Sequence, residues 1–207
     1  MEKLVEKVSG LWTAIGAQED PIIATRRFAQ WYSTPKRHYH NLGHVLDCLE
    51  MLRRFRYAAQ EECLIETAIW FHDCIYDTSR HDNEERSAEV TYNTLLDASV
   101  DEGFSRGVAS MVLATKRHLS PNPDTRLLID IDLSILGRPW KEFDMYERKI
   151  RLEYRQYSDA EYAAGRKAAL ESFIDNGSRP SIYLTKQFRS VFESTALENI
   201  ARSIARL

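Results

Sequence analysis

The chain has 207 residues, enough to bury a core without a disulfide framework or a structural zinc. Its 28 basic and 31 acidic residues leave a net charge of −3, without the global basic bias of a phosphate-backbone binder, so nucleic acid is not the expected partner. No run approaches the roughly 18 apolar residues of a membrane span. The opening Met1-Glu-Lys-Leu-Val-Glu-Lys-Val lacks the apolar core of a secretory signal, so the expected setting is the cytoplasm.

Only 8 glycines and 6 prolines punctuate the chain, and the stretches between them repeat apolar residues at three and four. That spacing predicts an all-α fold, a single domain over 1–207 built from about eight to ten helices. The first two expected helices cover 3–15 and 22–32. Arg37-His-Tyr-His-Asn-Leu-Gly-His44 then leads into a helix over 41–58. The next, 61–76, carries the apolar run Leu64-Ile-Glu-Thr-Ala-Ile-Trp-Phe71 and, directly after it, His72-Asp73. Asp82-Asn-Glu-Glu85 has the form of a capping box and opens a helix over 83–98, and a further helix over 104–117 runs into Thr115-Lys-Arg-His118.

Pro121-Asn-Pro123 separates that helix from one over 125–136, where Asp130 and Asp132 interrupt an apolar pattern. Pro139 suits the first turn of a helix over 140–156, and Ser158-Asp-Ala-Glu161 is a second capping box, opening 159–174. Residues 177–183 read as a hinge before the last helix, 186–205. In that helix Phe188, Val191, Phe192, Ile200 and Ile204 form an apolar stripe, so 184–207 is expected to pack on the body or on a partner in a homodimer. The three cysteines, Cys48, Cys63 and Cys74, are odd in number, lie in apolar stretches and show no C-x-x-C spacing, which fits a reducing compartment.

The chemistry concentrates around His72-Asp73. An imidazole and a carboxylate delivered at the inner end of an apolar helix are costly to bury without a partner. A divalent cation offsets that cost, because both groups are good ligands for first-row metals. Further ligands must come from elsewhere: His44, or His40 one turn before it, and a carboxylate of Asp130 or Asp132.

The ordered set formed by Tyr39-His-Asn-Leu-Gly-His44-Val, Trp70-Phe-His-Asp-Cys-Ile-Tyr-Asp77, Asp82-Asn-Glu-Glu-Arg-Ser-Ala88 and Asp130-Ile-Asp-Leu-Ser-Ile-Leu-Gly137 resembles the HD-domain phosphohydrolase superfamily. It is similar to a bacterial subgroup known as predicted HD-superfamily phosphohydrolases. The resemblance runs over most of the chain and implies an HD-type helical bundle with a metal-dependent phosphohydrolase activity that uses a metal-activated water. It puts the metal ligands on His44, His72, Asp73 and Asp132, with His40 and Asp130 as supporting neighbours. The cofactor is then a divalent ion, Mn, Co, Fe, Ni, Zn or Mg, and the substrate a small phosphate ester or a nucleotide.

For proton transfer the candidates are Asp73 itself and Asp77 or Glu85, with Glu84 beside the latter. One-metal relatives use basic side chains to clamp the phosphate, which points to Lys116, Arg117 and His118, with Arg37 and His38 at the pocket mouth. His81, in a polar run, reads as exposed loop. The doublet is followed by Cys-Ile-Tyr-Asp and not by the Ile-Gly-Lys of the cyclic-dinucleotide phosphodiesterases, so their substrate does not carry over. Two other readings share the scaffold. One is a di-iron oxygenase recruiting His40, His118 and further acids, and the other is a nucleotide-binding or regulatory module without turnover.

Overall fold

The computed structural model of the chain describes residues 1–174 and 181–207. Among these residues there are ten α-helices and no strand: α1 (Glu2–Ala14), α2 (Pro21–Trp31), α3 (Leu42–Phe55), α4 (Glu62–Phe71), α5 (Asn83–Asp97), α6 (Glu102–Ala114), α7 (Pro123–Asp132), α8 (Trp140–Glu153), α9 (Asp159–Ile174) and α10 (Lys186–Ile204). The all-α expectation holds, and each expected helix has a counterpart. The chain divides into two units, Met1–Leu128 and Ile129–Leu207, and the division falls within α7.

In the first unit α4 is the hub, in contact with α1, α3, α5 and α6. The reason is compositional: Ile65, Thr67, Ala68, Ile69, Trp70 and Phe71 are all buried, so the helix is apolar around most of its circumference and needs neighbours on every side. Each large side chain buried there contributes about 1.5–3 kcal/mol. Trp70 and Phe71 pack on Phe28 of α2, whose ring also meets Trp12 of α1 edge-on.

Helix α4 stops five residues before the expected end at 76, and the cause lies in other segments. The carbonyls of Asp73 and Cys74 accept from the Arg37 guanidinium at 2.7 and 3.1 Å. The Ile75 N–H donates to Ser87 Oγ at 3.1 Å and the Asp77 N–H to Asn83 Oδ1 at 3.0 Å. With these backbone groups satisfied from outside, the helical ladder has nothing left to gain from continuing.

In the second unit a 3-10 segment, Leu133–Gly137, is in contact with α8 and α10, and α10 also meets α9. Phe188, Phe192, Ala196 and Ile200 form the buried face of α10, as the sequence suggests for Phe188, Phe192 and Ile200, while Ile204 of the same expected stripe is half-buried. Val191 does not share it: it is exposed, because it lies off the 188/192/196/200 row. Of the hinge expected over 177–183, residues 177–180 lie outside the described residues. Ile182 and Tyr183 are buried, with their N–H groups donating to the Glu193 carboxylate at 2.7 and 3.1 Å.

The two expected capping boxes part company. At Ser158 the reciprocal pattern forms: the Ser158 N–H donates to Glu161 Oε2 at 2.9 Å, and the Glu161 N–H to Ser158 Oγ at 3.3 Å. At Asp82 it does not, because Asp82 makes a two-pronged pair with Arg80 at 2.7 and 2.6 Å and Glu85 is bound by Lys116.

Candidate metal centre

Two helix ends deliver the central donors. Asn41 caps α3 by accepting from the Gly43 N–H at 2.8 Å, which places His44 in the first turn. His72 is the residue at which α4 ends, its N–H still donating to the Ala68 carbonyl, so its ring emerges from the most buried helix of the first unit. Both imidazoles are buried, 4 % and 2 % exposed.

The three nearest donor atoms converge. His44 Nε2 lies 3.1 Å from His72 Nε2, and Asp73 Oδ2 lies 3.2 Å from His72 Nε2 and 3.8 Å from His44 Nε2. Ligand atoms around a tetrahedral ion with bonds of about 2.1 Å stand about 3.4 Å apart, which these separations bracket. The His72 tautomer is set by its other nitrogen: Nδ1 lies 2.9 Å from the Ile69 carbonyl, which only accepts, so Nδ1 carries the proton and Nε2 presents a lone pair to the cluster. Asp132, the last residue of α7, lies in the second unit and is half-buried. Within the first unit, the two buried imidazoles and the half-buried Asp73 carboxylate offer two nitrogens and a carboxylate oxygen, donors suited to a first-row divalent cation.

The surroundings are aromatic. Tyr39 lies 4.8 Å from the His44 ring between centroids, and His40 stacks on Tyr76 at 4.2 Å. Cys48, one turn beyond His44, brings its sulfur 3.8 Å from both ring nitrogens, a contact that the four-residue spacing encodes but that only the buried position makes meaningful.

Most of the remaining expected residues have partners of their own. Asp130 is fully buried, but its carboxylate accepts from the N–H groups of Leu184 and Thr185 and from the Thr185 hydroxyl at 2.6–2.7 Å, fastening the start of α10. Asp77 is exposed, and its carboxylate accepts from the Ser79 N–H and hydroxyl, which hold it below the usual carboxylate range. Glu85 is also exposed, and its pKa is lowered by its bond to Lys116. Neither carboxylate expected to pass protons therefore has the burial that tunes such a group toward neutrality. Their neighbour Glu84 differs: burial raises its pKa, with the Asp73 charge adding to the rise and Lys116 opposing it.

The basic candidates diverge in the same way. Lys116 is held between Glu85 and the His81 carbonyl, Arg117 is exposed, and His118 is half-buried at a left-handed φ of 50°. Arg37, expected at the pocket mouth as a substrate contact, is 8 % exposed, with its guanidinium donating to backbone carbonyls. The spacing of basic residues in the sequence carries no information on which of them find acids or carbonyls in the fold. His38 is half-buried with no hydrogen-bond partner for Nε2, and His81 is exposed as expected.

Comparison with models of protein families, with curated proteins and with solved structures finds no match for this chain.

Proposed function

We propose that the chain is a metal-dependent phosphohydrolase acting on a nucleotide or small phosphate ester, with His44, His72, Asp73 and Asp132 as ligands of one divalent cation. The observation that carries this reading is the convergence of two buried imidazole nitrogens and the Asp73 carboxylate, 3.1–3.8 Å apart, with the His72 lone pair turned inward. A divalent cation in such a set lowers the pKa of a bound water and neutralises phosphate charge.

The chain's own residues would do the rest. The Ile69 carbonyl keeps His72 in the ligating tautomer. Glu84 has the partial burial and raised pKa suited to holding or passing a proton, the task that the sequence suggests for Asp77 or Glu85. Among the basic cluster, the exposed Arg117 is the group to meet a substrate phosphate, since Lys116 is engaged by Glu85.

The test is elemental analysis of the purified chain beside His72→Ala and Asp73→Ala, followed by phosphate release from a panel of nucleoside monophosphates and aryl phosphates. One divalent metal per chain, lost in both variants together with a drop in phosphate release on the order of a hundredfold or more, is the expected result. No metal in any preparation and none on reconstitution would overturn the proposal.

A further inference from the structure

Arg37 is the residue whose sequence-based role the fold reassigns most sharply. It lies in the loop between α2 and α3, and its buried guanidinium reaches two separate segments. One Nη donates to the His40 carbonyl at 2.9 Å and to the Asp73 carbonyl at 2.7 Å, and the other donates to the Cys74 carbonyl at 3.1 Å. Its Cζ lies 5.1 Å from the Tyr32 ring centroid and 5.4 Å from that of Tyr76, so two aromatic faces flank the cation. The Tyr32 hydroxyl in turn donates to the Trp70 carbonyl at 3.0 Å, and burial raises its pKa and keeps it a neutral donor.

We infer that Arg37 is a positioning residue for the metal ligands, tying the backbone one turn before His44 to the peptide units of Asp73 and Cys74 and so fixing the distance between the two halves of the donor set. This rests on the metal reading above. Desolvating a guanidinium is costly, and a single loop hydrogen bond would not justify it. A rigid fork that meets three carbonyls on two segments does something no shorter or more mobile side chain does. Its charge also lies at the C-terminal end of α4, where carbonyls accumulate partial negative charge, so it holds the turn that presents Asp73. Lysine would keep the charge and lose the fork.

Cobalt(II) titration of the full chain tests this, followed by visible absorption, with far-UV circular dichroism reporting the fold separately. Arg37→Ala and Arg37→Lys are expected to retain helical content while cobalt affinity falls about tenfold to a hundredfold and the visible bands shift, as when groups that orient metal ligands are removed. Added methylguanidinium should restore the bands in Arg37→Ala, which a general loss of stability would not allow. If Arg37→Ala does not fold, the affinity and bands of Arg37→Lys decide by the same criterion. Unaltered affinity and bands in the variants that fold overturn the inference and leave the metal reading standing, whereas a wild-type chain that takes up no cobalt removes both.

Discussion

The three cysteines show how burial assigns chemistry to single residues. Cys48 and Cys74 are buried and Cys63 is exposed. Burial pushes the Cys74 thiol up to about 12, so at mildly alkaline pH it is both inaccessible and protonated. Only the thiolate reacts with disulfide reagents. Titration with Ellman's reagent at pH 8 should therefore find one reactive thiol in the native chain, Cys63, and three in denaturant. Fast native reaction of a second thiol would contradict the packing around the His72-Asp73 turn. At this scale residue type was legible in the sequence and environment was not: the chain favoured Asp77 or Glu85 over their neighbour Glu84, yet of the three only Glu84 is raised by burial. Solvation depends on which segments cover a side chain, and one-dimensional spacing does not contain that.

Elements were more legible, because periodicity and local capping are sequence properties. The Ser158 box forms as read, since its partners are three residues apart. The start of α4 has no such local cap. The N–H groups just ahead of it are held by Asp124, whose two carboxylate oxygens accept from the Gln60 and Glu61 N–H groups at 2.8 and 2.9 Å. Asp124 is 4 % exposed, and its two bonds are part-buried, so removing it breaks two charge-assisted hydrogen bonds at once. Asp124→Ala should cost about 2–4 kcal/mol in urea unfolding, with Asp124→Asn retaining part of that. A cost below about 0.5 kcal/mol, the range of ordinary surface substitutions, would show that α4 begins without it.

At the scale of the molecule, close packing decides what no local rule suggests. Gly137 ends the 3-10 segment, and a Cβ there would stand 2.6 Å from Phe192 Cβ, 2.7 Å from the Phe192 carbonyl oxygen and 2.9 Å from the Tyr183 hydroxyl. Asn199 closes the same contact by donating to the Leu136 and Arg138 carbonyls, each at 2.8 Å. Because one of the opposing atoms is backbone, Gly137→Ala should destabilise the chain by about 1–3 kcal/mol or more, measurable as a lowered midpoint in urea. Wild-type stability would mean that α10 does not seat on this segment. Among the described residues no helix is long and apolar enough to cross a membrane. The sequence by itself determined the all-helical class, the approximate helix boundaries and the pool of histidines and carboxylates from which ligands could be drawn, because hydrophobic period, capping chemistry and residue type are written locally. Only the tertiary structure decided that His44, His72 and Asp73 converge, that Asp130 fastens α10, and that Arg37 holds backbone carbonyls. Those outcomes depend on which buried polar groups satisfy one another across dozens of residues, and the requirement that each find a partner is met in three dimensions.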